Sequence, residues 1–226
     1  MMNYRLAIFD FDGTLADTVT WFAGVVNHVA DRYGFKRVEE RDHETLRGYA
    51  PRRLLEVLGV PLWKVPLITY YMRTLLARDI DRISLFEGID TVLQTLSREG
   101  VMLAVVSSNS CENVHRVLGP GNVALIETFS CGVSIFGKAA KLRGVLRRCG
   151  VSRREAIYIG DEVRDIEAAR EADVASGAVS WGYNTVESLR AYAPTEVFTS
   201  VGDIVESIVP GRISGDARLG APAMQG

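Results

Sequence analysis

Short apolar runs recur along the chain, each cut off by glycine or polar residues and each followed by a stretch of helical periodicity. Residues 4–9 run into Asp10, 101–106 into Ser107-Ser108-Asn109, 156–159 into Gly160-Asp161, and 174–179 into Ser180-Trp181-Gly182, with 196–198 as a weaker fifth. Continuous apolar runs of this length suit strands buried on both faces, and amphipathic stretches between them suit crossover helices. The pattern therefore predicts an α/β fold with a doubly wound parallel sheet. Helices are expected over 88–98, 112–118, 138–149, 163–171, 186–192 and 203–208.

The stretch between the first two strands breaks this rhythm. Residues 18–83 show helical patterns and no clear strand: 19–33, 40–46, 52–58, and a fourth from about 62 to 80 on which Leu67, Tyr70, Tyr71, Thr74 and Leu75 suit one face. One helix suffices for a crossover, so several imply an inserted α-helical cap domain over 18–83. The α/β core would then comprise 1–17 and 84–209, with Phe86-Glu87-Gly88 at the return. Residues 210–226, rich in Gly, Pro, Ala and Ser, read as a flexible tail.

Composition narrows the function classes. The chain has 226 residues, 47% of them hydrophobic, and 26 basic residues against 28 acidic ones. A net charge of −2 gives no electrostatic reason to expect nucleic acid or an anionic membrane as partner. No apolar run approaches the length of a membrane span, and residues 1–9 lack the core and cleavage site of a signal peptide. The three cysteines, Cys111, Cys131 and Cys149, form no CxxC pair, so neither a disulfide framework nor a zinc site is expected and a reducing cytoplasm fits best. An apolar cap face serves a core or a dimer contact equally, so monomer and homodimer both stand.

In an open parallel sheet, ligands bind beyond the carboxyl ends of the strands. Asp10 and Asp12 follow the first strand, Ser107 and Ser108 the second, and Asp161, Glu162 and Asp165 the third. Carboxylates converging without thiol or imidazole make a hard, oxygen-rich site suited to Mg²⁺, with Asp10 and Asp161 as candidate ligands. An aspartate after a strand is otherwise a turn former or helix cap, which is the reading for Asp17 and Asp90. Lys138 opens a helix between the second and third clusters; position alone favours a solvated surface lysine, the alternative being a group that neutralises phosphate charge and keeps Asp10 ionised, and Lys141 competes one turn on.

The string Asp10-Phe11-Asp12-Gly13-Thr14-Leu15, the hydroxyl of Ser107, Lys138 and the segment Gly160-Asp161-Glu162-Val163-Arg164-Asp165 follow one another in the order of the four motifs of haloacid dehalogenase superfamily phosphatases. The chain resembles that superfamily over about residues 4–208, and within it the phosphoglycolate phosphatase group. The resemblance implies that Asp10 attacks phosphorus and becomes an aspartyl-phosphate, while Asp12 protonates the leaving oxygen and then deprotonates water. It implies that Ser107 and the N–H of Ser108 hold phosphate oxygens, that Lys138 bridges phosphate and Asp10, and that Gly13 lets the chain turn between them. Mg²⁺ would sit between Asp10, the backbone carbonyl of Asp12 and Asp161, with Asp165 nearby. Dehalogenases carry no aspartate two residues after the nucleophile, since halide leaves without a proton, so Asp12 points to small phosphate monoesters.

Two other readings keep the same residues. Beta-phosphoglucomutase relatives share the second aspartate, although Gly160 stands where they usually carry an acid; a non-catalytic phosphate-binding or regulatory relative would retain the fold alone. A receiver-type phosphoacceptor domain is shorter and lacks the helical insert. For substrate contact, the cap loop 46–53 offers a glycine, a proline and three arginines, with Arg47 and Arg52 the candidates for meeting an anion.

Overall fold

The computed structural model describes residues 4–49, 51–132 and 137–209; the expected tail over 210–226 lies outside them. Six parallel strands, β1 (Leu6–Phe9), β2 (Met102–Val106), β3 (Thr128–Ser130), β4 (Ala156–Gly160), β5 (Ala175–Val179) and β6 (Glu196–Phe198), lie in the order β3-β2-β1-β4-β5-β6. The first strand is therefore central, paired with β2 from Leu6↔Met102 to Phe9↔Val105 and with β4 from Leu6↔Ala156 to Phe9↔Ile159. Strand β3 was not expected: at three residues and on the sheet edge it is too short to stand out as an apolar run.

Successive side chains of a strand point to opposite faces, and both faces here are covered. Leu6, Ile8, Ala104, Val106, Ala156 and Tyr158 pack against α7 (Lys138–Cys149) and α8 (Val163–Ala172). Ala7, Phe9, Leu103, Val105, Ile157 and Ile159 pack against α5 (Ile89–Arg98), α6 (Cys111–Val123) and α10 (Asp203–Ile208). Helix α6 is interrupted at Gly119, which takes φ 71° just before Pro120. The short α9 (Val186–Arg190) lies over α8 through Leu189.

Between β1 and β2 the chain forms α1 (Thr18–Tyr33), α2 (His43–Arg47), α3 (Pro51–Leu58) and α4 (Val65–Asp79) with short 3₁₀ turns at Glu40–Asp42, Leu62–Lys64 and Ile80–Arg82. Asp17 is a helix cap, accepting from the Thr20 N–H at 3.0 Å. These helices share an apolar cluster of their own around Val26, Val38, Leu58 and Val60. The chain leaves and returns side by side: Asp17 donates from its N–H to the Ser84 carbonyl, and Phe86 from its N–H to that of Leu15, both at 2.9 Å. One expectation is corrected: on α4, Leu75 is buried, but Leu67 and Tyr70 face solvent beside Leu62 and Trp63. A helix apolar on several sides does not say by period alone which side packs.

The cysteine expectation is also corrected. Cys111, at the start of α6, and Cys131, just after β3, form a disulfide with their Cα atoms 5.2 Å apart, and only Cys149 is a free thiol. Among the described residues no helix is long and apolar enough to cross a membrane.

Candidate active site

The carboxyl end of β1 delivers Asp10 into a buried setting, its N–H bonded to the Ile159 carbonyl at 2.8 Å. One carboxylate oxygen accepts from the Phe11 N–H at 2.8 Å and the other from the Lys138 ammonium at 2.5 Å. Lys138 reaches the Asp165 carboxylate at the same distance, so one buried cation joins two buried anions. Burial alone would push the Lys138 ammonium down, but Asp10 and Asp165 outweigh it and hold the lysine well above its usual value. Burial pushes the Asp10 carboxyl up, with Lys138 pulling against it. The same lysine, with Arg164, overcomes the burial of Asp165 and holds that carboxyl below its usual range. Lys141, the competing lysine, is exposed.

Asp161 follows β4 and is fully buried. Its two oxygens accept from the Thr14 hydroxyl at 2.8 Å and from the Tyr183 N–H at 2.7 Å. Burial, and then the charges of Glu162, Asp165 and Asp10, hold its carboxyl well above the ordinary range. A carboxylate placed so ionises only with a cation close by, which is the property of a metal ligand. Oxygens of Asp10, Asp161 and Asp165 come within 4.8 Å of one another. Three carboxylates, with no sulfur or imidazole, are the donor set of a hard divalent cation, and these residues fit Mg²⁺. The Asp12 side chain is held elsewhere, outside this group of three.

That holder is Asn109, whose amide N–H₂ donates to both Asp12 oxygens, at 3.0 and 3.3 Å. Burial and then Asp10 push the Asp12 carboxyl up to about 7, against the pull of Asn109. Asn109 is fixed in turn: its carbonyl oxygen Oδ1 accepts from the Ser110 N–H and from Asn113, and its backbone accepts from Gly132 at 2.7 Å. Ser107 lies buried at the end of β2, donating from its N–H to the Ser130 carbonyl and accepting at Oγ from the Asn109 N–H. Ser108 follows it, half-buried.

Glycine is required around the acids. Gly13 takes φ 75°, and a Cβ there would run into Asp161 and Tyr183. A Cβ on Gly182 would overlap Asp161, and one on Gly160 would overlap Asp165. The sequence offers residues 181–184, at another strand end, as a wall of the site without linking them to Asp161, and it does not single out Asn109 or Tyr158. Tyr158 donates its hydroxyl to Asp165 at 3.1 Å, and Tyr183 donates its own to the Thr18 carbonyl at 3.0 Å. Asn109 follows a strand end, whereas Tyr158 stands in the middle of β4, and only the fold shows which acid each meets. Glu162 caps α8 and pairs with Arg164 at 2.5 Å, and Trp181 donates from its indole N–H to the Thr14 carbonyl at 3.1 Å.

The two cap arginines are differently placed. Arg47, at the end of α2, donates to the carbonyls of Gly182 at 2.7 Å and Ser180 at 3.3 Å. Arg52 is exposed, 3.7 Å from Glu56. Within the loop 46–53, Ala50 lies outside the described residues.

Residues 7–179 match the sequence family described as haloacid dehalogenase-like hydrolase. A phosphoglycolate phosphatase of Synechococcus elongatus is 30% identical over 202 residues, covering 89% of this chain and 95% of that protein. One of Caulobacter vibrioides is 32% identical over 205 residues, covering 84% and 86%. Among solved structures, a haloacid dehalogenase-like family hydrolase of Streptococcus pneumoniae superposes with a TM-score of 0.76 at 18% identity, over 92% of this chain and 99% of that one, a likeness of fold.

Proposed function

This chain belongs to the haloacid dehalogenase-like hydrolases, and on that premise we propose that it is a Mg²⁺-dependent phosphatase cleaving small phosphate monoesters through a covalent phosphate on Asp10. The observation that carries the reading is the buried Lys138 ammonium 2.5 Å from both Asp10 and Asp165. The arrangement keeps an anionic nucleophile in an apolar setting and leaves positive charge beside it for the phosphoryl oxygens.

In the first step the Asp10 carboxylate attacks phosphorus, the bond to the leaving oxygen breaks, and Asp12 gives that oxygen its proton. In the second, Asp12 takes a proton from water, the water oxygen attacks phosphorus, and Asp10 is released with inorganic phosphate. Ser107 and the Ser108 N–H orient the phosphoryl oxygens, and Lys138 balances charge in both steps. Mg²⁺, held by Asp10, Asp161 and the Asp12 carbonyl with Asp165 nearby, would supply charge neutralisation and orientation of the phosphoryl group. Residues 18–83 act as the cap that excludes water from the reaction; their separate apolar cluster and the paired crossing at Asp17 and Phe86 support this division.

The relatives named as phosphoglycolate phosphatases, at 30% and 32% identity, make phosphoglycolate the first substrate to try. The proposed compartment is the cytoplasm, where small phosphorylated metabolites are kept. The Cys111–Cys131 bond pulls the other way, since a reducing compartment keeps such thiols open.

The test is phosphate release from a panel of small phosphate esters. Release is expected with Mg²⁺ and not with EDTA, with phosphoglycolate among the esters turned over; folded protein that releases nothing in Mg²⁺ contradicts the reading. The pH profile adds a second check. Asp12 carries the catalytic proton, and its carboxyl is held up to about 7. It therefore keeps the proton below that value and loses it above, so kcat/KM is expected to fall about tenfold per pH unit on the alkaline side. The acid side is shaped by the ester's own ionisation near about 6 and is less informative. An alkaline limb that stays level to about pH 9 would remove Asp12 from the role of acid.

A further inference from the structure

Arg47 grips one loop with both its side chain and its backbone. Its guanidinium donates to the carbonyls of Gly182 and Ser180, and its own carbonyl accepts from the Asn184 amide at 3.0 Å and the Thr185 N–H at 3.3 Å. Glu44, one turn earlier on α2, holds the guanidinium at 2.8 Å. Its Nε is buried with no protein partner, while the side chain as a whole is half-buried.

The loop held this way is the one that fixes Asp161. Gly182 leaves room for the Asp161 side chain, Tyr183 donates its N–H to one Asp161 oxygen, and Asn184 donates its N–H to the Asp161 carbonyl at 3.3 Å. The Asn184 side-chain oxygen also accepts from the Val163 N–H, tying the loop to the start of α8. Trp181 reaches the carbonyl of Thr14, whose hydroxyl holds the other Asp161 oxygen. Gly182 and Tyr183 therefore meet the Asp161 carboxylate, Asn184 its backbone carbonyl and Trp181 the residue that holds its other oxygen, while α2 is clamped onto residues 180–185.

We infer that Arg47 is a positioning residue that couples docking of the helical insert to the geometry of Asp161, so that the cation site is complete only when α2 is seated. The inference rests on the phosphatase reading for its consequence in turnover, but its physical content is cation affinity. It also replaces the expectation that Arg47 meets the substrate anion: the guanidinium is engaged with backbone carbonyls. A group that orients a metal ligand through an intermediate contact acts on affinity for the metal, typically by about 10- to 100-fold.

The experiment measures Mg²⁺ binding by calorimetry, without substrate, in the intact protein and in Arg47→Ala, Arg47→Lys and Arg41→Ala. Arg41 lies in the same insert, exposed and paired with Glu39 at 2.7 Å. Arg47→Ala is expected to weaken Mg²⁺ binding about tenfold, with amides of residues 181–185 exchanging faster with deuterium and the melting curve still cooperative. Arg47→Lys, which keeps the charge and can reach one carbonyl, should recover part of the affinity, and it serves if the alanine variant fails to fold. Arg41→Ala should match the intact protein. In turnover, raising Mg²⁺ should restore kcat to Arg47→Ala, with KM for the ester unchanged. Unaltered Mg²⁺ affinity and amide exchange, with a raised KM alone, would overturn the inference and return Arg47 to substrate contact. Mg²⁺ affinity that shifts as expected in a protein that hydrolyses no ester would keep the coupling and remove the phosphatase reading. An intact protein that takes up no Mg²⁺ removes both.

Discussion

Asp10→Asn is expected to abolish phosphate release, by on the order of 10⁴-fold or more, while leaving the fold in place. An amide cannot supply the electron pair that forms the phosphoryl bond, and in the proposed mechanism no other group is placed to do so. Stability should change little because two effects oppose. The variant loses the charge-assisted bond from Lys138, but it no longer holds a carboxylate whose burial already pushes its pKa up. The melting midpoint should stay within about 2–4 °C, equivalent to about 1 kcal/mol in a chain of this size. Phosphate release measured beside a circular dichroism melt checks both halves. Turnover above about a tenth of the original would end the covalent route through Asp10.

Lys138→Ala should be damaging in a different way, because it removes the cation between two buried carboxylates rather than the nucleophile itself. Breaking a buried pair by deleting one partner typically costs about 3–5 kcal/mol, here with two anions left behind. The sign of the pH dependence identifies the cause. In the intact protein Asp165 is held below its usual range, so its contribution to stability is present above the unfolded carboxylate value and is lost as pH falls. Lys138 is held above its usual value, so its contribution is present below the unfolded lysine value and is lost only as pH rises past it. Without the lysine, burial raises Asp10 and Asp165 together, and each is relieved by taking up a proton. Asp12 and Asp161 are raised in both proteins, so both gain stability on going from pH 8 to pH 5, and the variant should gain more. Denaturant midpoints at the two pH values decide the matter, and a deficit of the same size at both would assign the loss to packing.

The parts of this arrangement legible in the sequence were those written within single strands and the turns that end them. Asp10, Asp161 and Asp165 each follow an apolar run long enough to be read as a strand, and parallel strands bring such ends to one edge. What was hidden depends on which strands are neighbours. Residues 181–184 were readable as a wall of the site, but that Gly182 and Tyr183 meet Asp161 follows from β5 lying beside β4, and no spacing rule links positions 182 and 161. Cys111 and Cys131 close on each other because β3 pairs with β2, a strand whose three residues gave no warning. The burial of Lys138 and the exposure of Lys141 follow from which face of α7 packs on the sheet, where position alone favoured a solvated lysine. Arg47 looked like a group free to meet an anion because the carbonyls that engage it lie more than a hundred residues further on.

The close packing of Gly13, Gly160 and Gly182 against the acids bears on how such a protein can diverge. Even a methyl group at Gly13 or Gly182 would displace Asp161, and one at Gly160 would displace Asp165, so single replacements on that wall damage the site before any novelty can be selected. Apart from Arg47, the helices inserted after β1 present positions without that constraint, with Arg52, Leu67 and Tyr70 open to solvent. If the insert caps the site as proposed, inheritable change in substrate preference has one open direction: the roof can drift while the floor stays fixed.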